Sequence, residues 1–224
     1  MKKELLMQAL VKFVSGVVLV GLLIFLPAGT VHFEQGRLLM VILFLPMFAA
    51  GVVMYLKAPH LLESRLKAKE EEMEQKTVIA LSGLMFVGSF VVAGLDFRFG
   101  WRDFLPSWVS PAAAVVFLLS YAGFGEVLRE NAYLSRTVEV QEGQTVVDTG
   151  LYGVVRHPMY LVTVFLFLSM PLVLGSIWAF PIFLIHPFLM VKRICNEEEV
   201  LRRDLKGYEA YTKKVKYRMI PFVW

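Results

Sequence analysis

Six apolar runs, at residues 8–27, 38–56, 77–95, 110–128, 159–174 and 176–192, take up most of this 224-residue chain and restrict what it can fold into. Each of the first four approaches the roughly 20 residues that a helix rising about 1.5 Å per residue needs to cross the hydrocarbon core. The last two are shorter. Only Pro171-Leu-Val-Leu-Gly-Ser176 separates them, which predicts a tight helical hairpin whose outer ends return to one membrane face. With 57% hydrophobic residues, the chain exceeds the roughly 45–50% typical of soluble domains. The expectation is an all-α, polytopic membrane helix bundle of about six spans ending in that hairpin. Met1-Lys2-Lys3 ahead of an apolar run resembles a signal peptide, but no small-x-small cleavage site follows Val11–Leu26, so the run reads as a retained first helix.

Lysine and arginine fall unevenly between the runs. Lys2 and Lys3, then Lys57, Arg65, Lys67, Lys69 and Lys76, then Arg129, Arg136 and Arg156, and nine residues from Lys192 to Arg218 lie on one side. Arg37, Arg98 and Arg102 lie on the other. The positive-inside rule then puts both termini of this integral membrane chain in the cytosol. The same rule accounts for the net charge of +4 without a nucleic-acid partner. A single cysteine, Cys195, excludes an intramolecular disulfide and a cysteine-based metal cluster. His32, His60 and His186 show no metal-ligand spacing, so no metal is expected.

Between the spans, Ala58–Lys76 reads as a solvated helical extension of the second span, with Pro59 near a helix start and Glu70-Glu-Glu72 among lysines. Arg136–Thr149 alternates apolar and polar residues around a glycine, as an extended or hairpin-like loop does. The tail from Glu197 starts as a helix and ends in Ile220-Pro-Phe-Val-Trp224, with an aromatic suited to the membrane interface. Glu126 and Arg129 are spaced for a structural ion pair, and Gly83 and Gly88 for close helix packing. His186, inside the sixth run, reads as a hydrogen-bonding packing residue.

Two dense polar clusters stand out against this apolar background: Gly150-Leu-Tyr-Gly-Val-Val-Arg-His-Pro-Met-Tyr160 and Arg193-Ile-Cys-Asn-Glu-Glu-Glu199. Ionisable groups beside membrane spans are costly and usually functional. Pro158 suits the first turn of a helix, where its missing N–H is not needed. The free N–H groups of that turn, with Arg156 and His157, can hold an anionic or polar ligand, and Tyr152 and Tyr160 offer aromatic faces. The hairpin brings both clusters to one membrane face. A pocket there suits a water-soluble cosubstrate and a lipophilic acceptor. The sequence has no nucleophile elbow, P-loop or dinucleotide-binding glycine motif.

Gly150-Leu-Tyr152, Arg156-His-Pro-Met-Tyr160, Arg193-x-x-x-Glu197-Glu198, Tyr208-x-x-Tyr211 and Val215-x-x-Arg218-x-x-Pro221 resemble the isoprenylcysteine carboxyl methyltransferase family in its prokaryotic form. The resemblance covers residues 126–224, a cofactor-binding and catalytic region; residues 1–125 carry spans without a specific signal. It implies S-adenosylmethionine as methyl donor and a lipophilic small molecule or lipid as acceptor. The implied cofactor site takes in Gln144, Thr145, Val146 and Val147 of the cytosolic loop, Gly150, Tyr152, Arg156, His157, Pro158, Met159, Tyr160, Glu197, Tyr208 and Tyr211. Arg193 is implied to face the acceptor. Methyl transfer from a sulfonium needs alignment and desolvation more than acid–base help. A carboxylate acceptor is already ionised and needs only an arginine to orient it, whereas an amine or phenol needs a base, for which Glu198 and Glu199 are the nearby groups. Arg193 and Glu198 are accordingly the expected catalytic residues. One departure is Gly207-Tyr208, where the family usually keeps a residue between the two. Two other readings carry different expectations: a sterol- or enone-reductase relative using NADPH, and a non-catalytic ligand-binding membrane protein on the same scaffold.

Overall fold

The computed structural model describes residues 2–66, 73–101, 105–134 and 138–224. Nine α-helices are found among the described residues, with no strand: α1 (Lys2–Ala28), α2 (Glu34–Lys57), α3 (Pro59–Leu66), α4 (Met73–Phe99), α5 (Val109–Glu130), α6 (Pro158–Val173), α7 (Phe180–Phe183), α8 (Ile185–Asp204) and α9 (Tyr208–Lys214). A short 3-10 turn, Gly150–Gly153, precedes α6. Helices α1, α2, α4 and α5 are long and apolar enough to cross a membrane, and α6 is a shorter apolar helix. The chain is a multi-pass membrane protein. The run Glu70–Glu72 and the loop start at Arg136 and Thr137 lie outside the described residues.

Prolines set several boundaries. Ala58, before Pro59, leaves the helical region (φ −144°, ψ 61°), and Pro59 opens a separate helix. The 59–66 segment is therefore not an extension of the second span, and it is not wholly solvated. Leu61, Leu62 and Ser64 of α3 are buried, and the Lys12 ammonium donates to the Leu66 carbonyl at its end. The sixth apolar run is broken as well. After Gly175, in a left-handed turn, the chain forms α7 and only then α8, with Pro187 in the first turn of α8. α8 carries on past Lys192 to Asp204, so its polar half emerges beside the start of α6.

Close helix contact falls at a glycine other than the two expected. A Cβ on Gly94 of α4 would lie 2.6 Å from the Ile24 carbonyl oxygen of α1 and 2.9 Å from Pro27, while around Gly83 and Gly88 nothing lies within 4 Å. The buried core joins α1, α2, α4, α5, α6 and α7, with Phe86 packed edge-on to Phe167 and Phe183. His186 is buried and packs its ring edge-on against Phe167 at 4.7 Å, but neither ring nitrogen has a hydrogen-bond partner among the described residues, contrary to the expectation. Glu126 and Arg129 form the expected ion pair.

Gly94→Val is expected to lower thermal stability in detergent by about 1–3 kcal/mol, the usual cost of overpacking. Gly88→Ala, whose added Cβ would have nothing within 4 Å, is expected to be nearly neutral. Melting both variants beside the parent chain checks this.

Candidate functional site

The polar half of α8, the turn before α6 and the tail after α9 meet around one carboxylate. Glu198 is 2% exposed. Its Oε1 accepts from Arg156 Nε at 2.7 Å and lies 3.3 Å from His157 Nε2; its Oε2 accepts from Arg218 Nε at 3.0 Å, with Arg202 at 3.8 Å. Burial alone would push this carboxyl up, but the hydrogen bonds and charges of His157 and Arg156 outweigh it and hold the group at about 2. Arg156 Nη1 donates to the Val215 and Lys216 carbonyls at 2.8 and 2.9 Å. The Arg156 and His157 backbone N–H groups donate to the Tyr217 and Arg218 carbonyls at 2.9 and 2.8 Å. The tail is thus laced to the residues preceding Pro158, which begins α6 at the first helical position as expected.

Beside this knot lies an open cleft with about 750 Å³ of free space, solvent at its mouth included. Gln144, Thr145, Val146 and Val147 form one wall, and Arg156, His157, Met159, Tyr160, Arg193, Glu197, Tyr208 and Tyr211 another. The Tyr160 hydroxyl donates to Glu197 and accepts from Arg193 Nε at 3.0 Å. One phenol therefore joins the carboxylate and the arginine that the resemblance assigned to different ligands.

Gly150, Tyr152, Pro158 and Glu198 stand behind the walls. Gly150 has φ +52°, and a Cβ there would fall 1.3 Å from Glu130 Oε1; Glu130 Oε2 also accepts from the Leu151 N–H at 3.0 Å. Tyr152 supports the wall, its carbonyl accepting from the Tyr211 hydroxyl at 2.7 Å and its hydroxyl accepting from Asn131 at 3.1 Å. Burial pushes the phenols of Tyr152, Tyr208 and Tyr211 up, so they remain neutral.

Glu198 differs most from its expected role. It is surrounded by cations and held ionised, so it is not a base that takes up a proton near neutral pH. Its contacts instead tie Arg156 and His157 together. Asn131, Tyr133, Leu134, Val138, Glu139, Val200, Leu201 and Leu205 also line the cleft, and Arg202 and Arg218 also reach Glu198, beyond the residues expected there. Arg202 had a signal, its i,i+4 spacing from Glu198. Arg218, 20 residues away, had none beyond its place in a motif.

Because folding depresses the Glu198 carboxyl from 4.5 to about 2, the stabilisation it brings is complete above about 4.5 and is lost as pH falls through about 2. Thermal melts across that range should show an acid loss in the parent chain. Glu198→Gln should melt lower at neutral pH and show a shallower acid slope.

A family model described as phospholipid methyltransferase matches residues 110–206. The Delta(14)-sterol reductase of Mus musculus is 32% identical over 91 residues, 39% of this chain; the match spans only 22% of the length of that curated relative. The solved structure of the eukaryotic intramembrane Ras methyltransferase ICMT (isoprenylcysteine carboxyl methyltransferase) matches with a TM-score of 0.54 at 20% identity, over 96% of this chain and 94% of that one. Residues 110–206 carry the pattern of the phospholipid methyltransferase family, and the chain as a whole shares the polytopic helical fold of the solved ICMT structure.

Proposed function

We propose that the chain is an integral-membrane, S-adenosylmethionine-dependent methyltransferase acting on a lipophilic acceptor, with the cleft and both termini in the cytosol. The observation that carries this reading is Tyr160. Its hydroxyl lies between Glu197 and Arg193 where a polar cleft meets the end of an apolar helix. A water-soluble donor and a membrane-dissolved acceptor can meet at such a junction.

The residues present fit the donor. The cleft combines the Glu197 carboxylate, the polar residues Gln144 and Thr145 and apolar walls from Val146, Val200 and Leu201, a mixture matched to a nucleoside with a charged amino-acid end. S-adenosylmethionine, when bound, supplies a methyl group on a positively charged sulfur. Glu197 accepts hydrogen bonds from its hydroxyls or ammonium. Arg193 orients an anionic acceptor group, and Tyr160 fixes the two side chains relative to each other. Glu198, ionised and enclosed, keeps Arg156 and His157 in the wall. With no role left for it as a base, an acceptor that arrives ionised, such as a carboxylate, suits the cleft best.

The segment shared with the sterol reductase is the observation behind a second reading, an NADPH-dependent reductase. Against it, Tyr160 is followed by Leu161-Val162, where those reductases typically carry a Gly-Glu pair. Calorimetry on the purified chain separates the two. S-adenosylhomocysteine should bind in about the micromolar range, and Glu197→Ala should weaken it at least about tenfold. Arg193→Ala should retain that binding yet lose transfer of labelled methyl to a lipid extract. NADPH binding without S-adenosylhomocysteine binding would reverse the assignment.

A further inference from the structure

The segment after Arg218 presents an apolar surface that methyl transfer does not use. Met219 is buried against Val78 of α4 and Leu189, Met190 and Ile194 of α8, and Trp224 packs on the same cluster. This segment therefore sits at the ends of membrane helices, not out in bulk water. From that base Phe222 and Val223 turn outward, 87% and 75% exposed, with Ile220 at 40%. Phe222 has φ 64°, a left-handed conformation that an aromatic residue rarely adopts. The loop's own hydrogen bonds hold it there: the Met219 and Ile220 N–H groups donate to the Trp224 carbonyl at 3.0 Å, and the Trp224 N–H donates to Ile220 at 3.1 Å. A backbone held in so costly a state keeps the outward ring in a defined place.

Charge identifies what covers this surface. Just before it, Lys213 and Lys216 are exposed, while Lys214 bridges Asp148 and Arg218 reaches Glu198. The acids nearby are already engaged, Asp148 by Lys214 and Glu209 by Arg202. An exposed apolar tip that follows exposed lysines in the chain complements anionic lipid headgroups over acyl chains. We propose that Ile220–Val223 is a wedge seated at the headgroup–acyl boundary of the leaflet beside the cleft, with Lys213 and Lys216 on anionic headgroups. The wedge continues directly from the Val215 and Lys216 carbonyls that hold Arg156, so the bilayer surface braces one wall of the site.

The test uses the full chain in nanodiscs, with Cys195→Ser and a nitroxide on Phe222→Cys or, away from the left-handed position, Val223→Cys. Oxygen and a water-soluble nickel chelate compete as relaxing agents. The oxygen-to-nickel ratio should be several-fold above that of an exposed reference label at Lys206→Cys. It should rise further in discs containing phosphatidylglycerol than in phosphatidylcholine alone, and Lys213→Glu with Lys216→Glu should erase that difference. A ratio equal to the reference would overturn the proposal, as would shielding from both agents, which marks a protein partner or a second copy. Indifference to lipid charge and to the two lysines would remove the assignment to anionic headgroups. None of these readouts requires a cofactor or turnover, so they stand apart from the methyl-transfer reading.

Discussion

Glu198 is enclosed by Arg156, His157, Arg202 and Arg218, and the remainder of the site takes its position from that cluster. The Arg156–Glu198 pair is nearly solvent-free, with side chains 6% and 3% exposed, whereas Arg202 and Arg218 are partly open to water. Burying two charges is expensive, and removing one partner of such a pair typically costs about 3–5 kcal/mol because the other charge is left uncompensated. The more exposed arginines contribute less, since water screens them. The pair is therefore weak as a source of net stability and strong as a constraint on geometry. Arg156 meets the Glu198 carboxylate through Nε and two tail carbonyls through Nη1, and these bonds hold the cleft wall.

Around this constraint the cleft is built in layers. Tyr211 and Tyr208 of α9 pack with Leu205, Val215, Val140 and Val146, so α9 joins the loop wall to the tail. Lys214 ties the same helix to Asp148 just beyond Val147. Glu130, at the end of α5, holds the Gly150 turn through the Leu151 N–H. The polar walls are thereby anchored to membrane helices on two sides, through α5 and through α8.

Much of the helical skeleton was legible because lipid demands long apolar runs, and Pro158 marked the start of α6 because a proline fits there. The break in the sixth run was harder to see. Pro181 and Pro187 lie in an apolar stretch, where composition does not register them. The three consecutive glutamates show a different limit. Neighbouring residues on a helix point about 100° apart, so Glu197 faces the cleft, Glu198 the buried Arg156 and Glu199 solvent. Composition treats them alike, and only the partners of each, brought from distant parts of the chain, distinguish them. The same holds for glycines: Gly94 differs from Gly83 and Gly88 only in what the opposite helix presents.

The bonds of Arg156 span long stretches of sequence: Glu198 is 42 residues downstream, and the Val215 and Lys216 carbonyls are 59 and 60. A guanidinium cannot leave water before its partners arrive, so the turn ahead of α6 has no stable buried state while the chain is shorter than that. The membrane helices can insert in order as they are made, but the site cannot be assembled in order. Its closure requires the tail to fold back, and until then the helices before it form a scaffold with an open seam.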